Sequence, residues 1–211
     1  MNISMNCPTY QLVNNLMKKY KGSIIVDNGC DNNYFKEMFN KNIIGLEVNK
    51  EAEADVYSNG ITLPFKNKSV DLFISNFVLE HVENEEVYIN EMYRCLKKGG
   101  KIILSVPRPI WYLSFFISPY NYWIALKNIR EFFANPNRYI THGHPQHHTL
   151  FYEFSEWEES RYEQLFSKFN ILEKITNTNF LSLDSYYAKI FSKIDMPNWL
   201  NVHVTYVLEK N

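Results

Sequence analysis

The chain has 211 residues, 45% of them hydrophobic, and its 22 lysines and arginines against 23 aspartates and glutamates leave a formal net charge of −1. That length suits one domain with a well-buried core, and the balanced charge, with no Lys/Arg-rich block, speaks against a nucleic-acid partner. The cysteines Cys7, Cys30 and Cys95 are far apart, odd in number and form no CxxC pair, so neither a disulfide framework nor a zinc cluster is suggested.

In chain order, Cys7 to Tyr20 reads as a helix, with Leu12, Val13, Leu16, Met17 and Tyr20 at helical spacing and Gly22 to end it. No apolar stretch with a small-residue cleavage site precedes it, so no secretory signal is expected and a reducing cytoplasm is the default location. Ser23–Asp27 reads as a buried strand, Tyr34–Phe39 as a helix, Asn42–Val48 as a second strand and Ala54–Ser58 as a short third. Asn59-Gly60 turns, and Leu63-Pro64-Phe65 is extended. Val70–Asn76 is almost wholly apolar, as a central parallel strand should be. Asn84–Lys97 reads as an amphipathic helix with Val87, Ile89, Met92, Tyr93 and Leu96 inward, Lys97-Lys98 at its C-terminus and Gly99-Gly100 to stop it. Lys101–Val106 is a fifth strand, ended by Pro107.

Residues 108–150 are irregular, aromatic and rich in histidine, and read as an inserted cap, partly helical around Tyr122–Phe133. Its apolar stretch Ile110–Leu126 is broken by Ser114, Ser118, Pro119 and Asn121 and is too short to span a bilayer. A helix from Ser155 to about Phe169 and strands at Ile171–Thr176 and Val202–Leu208 follow, with a short helix near Ser185–Phe191 between the strands. The alternation predicts an α/β three-layer sandwich with a mostly parallel sheet. It predicts a single domain over 1–211, with a core of 22–108 and 151–211 and the cap at about 108–150.

The strongest local signal is Ile24-Ile25-Val26-Asp27-Asn28-Gly29-Cys30, answered by Ile43-Ile44-Gly45-Leu46-Glu47-Val48. An apolar strand enters a glycine turn, and a second strand ends in a lone carboxylate. In an open parallel sheet this is the layout of a nucleotide-type site: the turn brings backbone N–H groups to the ligand, and the carboxylate accepts from two ribose hydroxyls.

Five stretches in order resemble a class I S-adenosylmethionine-dependent methyltransferase of the small-molecule "type 11" branch. They are Val26–Cys30, Gly45–Glu47, Asn59–Phe65, Val70–Asn76 running on through Val78-Leu79-Glu80-His81-Val82, and Leu96–Pro107. The resemblance covers roughly residues 22–108. It implies a Rossmann-like, seven-stranded sheet whose last strand is antiparallel, and S-adenosyl-L-methionine as cofactor. It implies that Asp27 orients the turn or holds the methionine amine, that Gly29 lets the backbone approach, and that Cys30 and Asp31 continue this loop. Glu47, next to Val48, would bind the ribose, Asn59 and Gly60 would flank the adenine, and Asn76 and Phe77 would line the methionine end. The sequence departs from the family at Asp31 and Asn33, where glycine is usual, and at Asn59, where Asp is usual. Asp and Asn tolerate left-handed backbone better than other non-glycine residues, and an Asn oxygen still accepts from an adenine amine.

Taken by themselves, Asp27 and Glu47 also suit ordinary strand-end residues, and Glu80-His81 a solvated loop or cap. The run Thr141–His148 holds four histidines and suits an acceptor pocket with a general base, a metal site, or a polar surface loop. No standard zinc spacing occurs there, and no metal is expected. The aromatics Trp111, Tyr112, Phe115, Phe116, Tyr120, Tyr122 and Trp123 suit lid packing. The ranked candidates for a base are His81, then His144, His147 and His148, and Tyr10 or Tyr34 would close over the cofactor. Asn76-Phe77-Val78-Leu79 lacks the Asn-Pro-Pro-Tyr of amino-methylating nucleic-acid enzymes, and no GxGxxG supports a nicotinamide dehydrogenase. The expectation is methyl transfer to a small-molecule acceptor, on family analogy a hydroxyl of a sugar or secondary metabolite. A catalytically inactive protein that kept the fold as a binding or partner subunit is the alternative, and a homodimer is left open.

Overall fold

The computed structural model describes residues 8–39, 42–108, 159–177 and 203–211. The expected cap, its aromatics, His144, His147, His148, Cys7 and the helix near 185–191 lie outside the described residues. Helix α1 (Pro8–Lys19) is followed by β1 (Ile25–Asn28), α2 (Tyr34–Met38), β2 (Ile43–Glu47), β3 (Val56–Tyr57) and β4 (Val70–Asn76). A 3-10 turn (Leu79–His81), α3 (Glu85–Cys95), β5 (Leu96–Pro107), α4 (Glu159–Leu165), β6 (Phe169–Asn177) and β7 (His203–Lys210) complete the order.

The seven strands form one sheet in the order β3-β2-β1-β4-β5-β7-β6. β1 pairs in parallel with both β2 and β4, in register Val26 with Ile44 and with Phe73. β7 is wedged between β5 and β6, antiparallel to both. The expected α/β sandwich with an antiparallel last strand is therefore the observed one. Strands β1, β2, β4, β5 and β7 bury apolar side chains on both faces, as a sheet covered on two sides requires. One face carries Val26, Leu46, Phe73, Ile102 and Leu104 against Tyr88 and Met92 of α3, Tyr162 of α4 and Phe166 just after it. The other carries Ile25, Ile43, Leu72, Ile74 and Ile103 against Val13, Leu16 and Met17 of α1 and Phe35 of α2. Among the described residues no helix is long and apolar enough to cross a membrane.

Several boundaries differ from the sequence reading, and three of them bear on the packing. Strand β1 starts at Ile25, because the Ser23 and Ile24 N–H groups donate instead to Asp71 Oδ2, at 3.1 and 2.9 Å. Helix α3 ends at Cys95, and Leu96, Lys97 and Lys98 already belong to β5. Leu96 pairs with Val70, so strand pairing wins over helix continuation there. Lys97 turns its ammonium to Asp71 Oδ1 at 2.7 Å. The positive group at the α3 C-terminus is Lys210 of β7, which donates to Tyr93 O at 2.5 Å and Leu96 O at 2.8 Å. The inner face of α3 is also rotated: Tyr88, Ile89, Met92 and Cys95 are buried, while Val87 is exposed. Burial of Tyr88 is possible because its hydroxyl bonds Ser75 Oγ at 2.9 Å and Asn28 O at 3.2 Å. The third difference is α4, which stops at Leu165, four residues before the expected end, as Phe169 enters β6.

Candidate cofactor and acceptor site

The strand order reverses between β1 and β4, and in open α/β sheets ligands sit outside the carboxyl ends of the strands at such a point. A cavity of about 810 Å³ lies there. Its wall includes Asp27 in β1 with Gly29, Cys30 and Asp31 just after it, and Glu47 at the end of β2 with Val48 beyond. Asn59 and Gly60 from the turn after β3, Asn76 at the end of β4, and Phe77 and His81 beyond it complete the described part of the set expected from sequence. Tyr10 and Tyr34 also line it, and Tyr10 stacks on Phe35 with ring centroids 4.6 Å apart. The three later histidines lie outside the described residues, so only His81 of the four candidate bases has a described position.

The loop after β1 turns through three left-handed residues: Gly29 at φ 93°, Asp31 at 48° and Asn33 at 56°. The two non-glycine residues are of the types that tolerate this region, so the turn survives their substitution for glycine. Gly29 itself allows no side chain, since a Cβ there would meet Val78 Cγ2 at 2.3 Å. The Gly29 and Cys30 N–H groups both donate to Leu46 O at 2.9 Å, which ties the loop to β2. The Asp31 N–H donates to Glu47 Oε2 at 2.9 Å, and Glu47 Oε1 accepts from Val48 and Asn49 at 2.8 and 3.1 Å. Farther along the loop, Asn33 Nδ2 donates to Glu53 O at 2.7 Å and Asn32 Oδ1 accepts from Glu53 N at 3.1 Å.

Asp27 is 2% exposed, and its Oδ1 has no partner among the described residues. Burial, with the Glu47 carboxylate a smaller cause, pushes its pKa up to about 8. Burial likewise pushes the Cys30 thiol up to about 12, so it is a neutral part of the wall and no nucleophile. Asn28 Nδ2 and Asn76 Oδ1 are also buried without partners among the described residues. Asn59 lines the cavity, but its Oδ1 accepts from Ile61 and Thr62 at 3.2 and 3.1 Å, so an adenine amine would compete with two backbone N–H groups for it.

The strain at Phe77 and the burial of His203 and of Glu80 Oε2 near this end of the sheet carried no clear sequence signal. Phe77 is strained at φ 58°, with its ring edge-on to His203 at 5.3 Å. His203 is fully buried, bonds Thr9 Oγ1 at 3.0 Å through Nε2, and burial lowers its pKa to about 3. Glu80 does not solvate a loop: its Oε2 is buried and unpartnered among the described residues, and burial with the nearby Glu85 carboxylate raises its pKa to about 8. Periodicity cannot see any of these, because each depends on which strand ends meet. Among the described residues no three His, Cys, Asp or Glu side chains gather as a metal site.

The residues present fit an adenosyl amino acid. Asp27, Asn28 and Asn76 line the cavity and each keeps a buried polar atom without a partner among the described residues, the Gly29 turn has no room for a Cβ, and a carboxylate stands at the tip of β2. Comparison with known proteins points the same way. Residues 26–104 match the family described as "Methyltransferase domain". A protein of uncharacterised function from Methanocaldococcus jannaschii is 37% identical over 86 residues, covering 37% of this chain and 42% of its own length. An uncharacterised methyltransferase of Mycobacterium leprae is 33% identical over 99 residues, covering 40% of this chain and 37% of its own. The matched part of the chain thus spans less than half the length of these relatives. In fold, the chain is similar to a SAM-dependent methyltransferase from Thermotoga maritima, with a TM-score of 0.58 at 18% identity, covering 96% of this chain and 89% of that one. Residues 26–104 thus resemble a methyltransferase domain, and the sheet that carries them has the fold of S-adenosylmethionine-dependent methyltransferases, whose cofactor is S-adenosyl-L-methionine.

Proposed function

We propose that the chain transfers a methyl group from S-adenosyl-L-methionine to a hydroxyl of a small-molecule acceptor, a sugar or a secondary metabolite. The observation that carries this reading is one cavity, at the switch point of a matched methyltransferase domain, lined both by the cofactor-directed residues and by His81. The whole of 1–211 acts as one unit in this reading, with residues at about 108–150 shaping the acceptor side. It works in the cytoplasm without a nucleic-acid partner. The near-neutral charge and Phe77-Val78 in place of Pro-Pro after Asn76 support that choice.

Glu47 accepts from the ribose hydroxyls. Asp27 holds the methionine ammonium, and the Gly29–Asp31 turn follows the ligand backbone-first. Val48, Asn59 and Gly60 flank the adenine, and Asn76 and Phe77 border the methionine end. The bound cofactor supplies an already activated methyl group, so the protein's work is to align the acceptor and exclude water. A hydroxyl of high pKa must also lose its proton, and the His81 imidazole takes it at a ring nitrogen. His144, His147 and His148 are the next candidates for that role.

Titration calorimetry with S-adenosyl-L-methionine and S-adenosyl-L-homocysteine, followed by labelled methyl transfer to a panel of hydroxylated acceptors, tests the reading. Binding with transfer is expected, and His81→Gln should lower turnover far more than cofactor affinity. An unchanged rate passes the role to the later histidines. No heat at millimolar ligand would favour an inactive protein that kept the fold.

A further inference from the structure

His203 is the first residue of β7 and is fully buried. Because β7 runs antiparallel to β5, His203 pairs with Pro107, the last residue of β5. It therefore lies at the carboxyl end of the parallel strands, the end that holds the cavity. The imidazole meets two separate pieces of the chain there. The Phe77 ring stands edge-on to it, with centroids 5.3 Å apart. Its Nε2 bonds Thr9 Oγ1 at 3.0 Å, and Thr9, in the first turn of α1, is buried as well. Both neighbours lead to the cavity. Phe77 lines it, at a left-handed φ of 58° that a bulky residue keeps only where its surroundings hold it. Tyr10, the residue after Thr9, lines it from α1. The imidazole Nδ1 is buried without a partner among the described residues, so the bond to Thr9 is what fixes the ring.

Accepting the methyltransferase reading above, we propose that His203 is a positioning residue for cofactor binding, holding Phe77 directly and Tyr10 through Thr9, so that one buried imidazole sets two walls of the cavity. It is not itself part of the cavity wall and acts only through these neighbours. A ligand that packs on walls already in place binds without the cost of ordering them, and it loses affinity when they must be ordered first. Burial keeps the imidazole neutral, so its tie to Thr9 is a hydrogen bond that neither pH near neutrality nor salt disturbs.

The test spares the buried ring and uses Thr9→Val, which keeps the side-chain volume and loses the hydroxyl, with Thr9→Ser to restore it. Thermal melting checks that both variants fold. Amide hydrogen exchange without ligand reads the walls. Thr9→Val should speed exchange about threefold or more in α1 and also at Phe77, whose N–H bonds Ser105 O, while β2 keeps its rates. Calorimetry then reads the ligands. S-adenosyl-L-methionine and S-adenosyl-L-homocysteine should both bind Thr9→Val about threefold to tenfold more weakly, the order of one neutral hydrogen bond. Thr9→Ser should recover wild-type exchange and affinity. Tyr10→Ala should cost less in the Thr9→Val background than in the wild type, because the two act through one wall. Exchange that rises in α1 but not at Phe77, or a folded Thr9→Val with a lower melting point and unchanged affinities, overturns the inference. A wild-type chain that binds neither ligand instead overturns the methyltransferase reading beneath it, and the exchange rates still decide whether His203 holds both walls.

Discussion

The backbone N–H of Asp31 donates to Glu47 Oε2 at 2.9 Å, so the loop after β1 and the tip of β2 are one hydrogen-bonded unit. With Val48 and Asn49 on Oε1, three of the roughly four lone-pair sites of the carboxylate are engaged. The group is thereby held facing the cavity with capacity for one further donor, and the Asp31 contact is the one a ribose diol would exchange.

Glu47→Ala should therefore weaken cofactor binding by about 1.5–3 kcal/mol, the range for hydrogen bonds to a charged group. Calorimetry reads this directly. Unchanged affinity would remove Glu47 from the site.

Gly29→Ala should be costly to the fold itself. Its φ of 93° is strained for any L side chain, and the added Cβ would meet Val78 Cγ2 at 2.3 Å. A loss of about 1–3 kcal/mol in a denaturant titration is expected from the overpacking and strain. A full-length protein of unaltered midpoint would mean that the turn can rearrange.

Strand β4 was legible residue for residue, because a buried parallel strand is a continuous apolar run bounded by polar turns. The cavity wall was legible for a related reason: glycine turns and strand-end carboxylates are local in sequence, and the switch point gathers them. The burial of His203, decided by β7 meeting α1, was not, nor was that of Glu80 Oε2 near α3 and α4, since spacing does not encode which elements meet. The α3–β5 boundary was misread because Leu96 satisfies both the helical period and the strand pairing with Val70, and only the paired strand decides between them.

That boundary makes Lys210 a structural residue. Its ammonium, 8% exposed as a residue, donates to Tyr93 O and Leu96 O and lies 4.5 Å from the Tyr93 ring centre. It satisfies carbonyls at the end of α3 that the helix itself cannot. Lys210→Met keeps the stem and removes the donors. It should lower stability by about 1–3 kcal/mol, with the slope of the denaturant curve unchanged.

Asp27 links stability to pH with a definite sign. Its folded-state pKa of about 8 lies above the unfolded value near 3.9, so between these values the folded chain holds a proton that the unfolded chain has lost. Stability from this group is intact below about pH 4 and declines as the pH rises toward 8. Asn mimics the protonated carboxyl, so Asp27→Asn should melt higher than the wild type at pH 8 without ligand, by about 1–3 kcal/mol. The gain should vanish near pH 4. Bound cofactor should reverse the order at pH 8, because only the ionised carboxylate answers its ammonium. A variant that gains equally at both pH values would show that Asp27 is ionised in the unliganded fold.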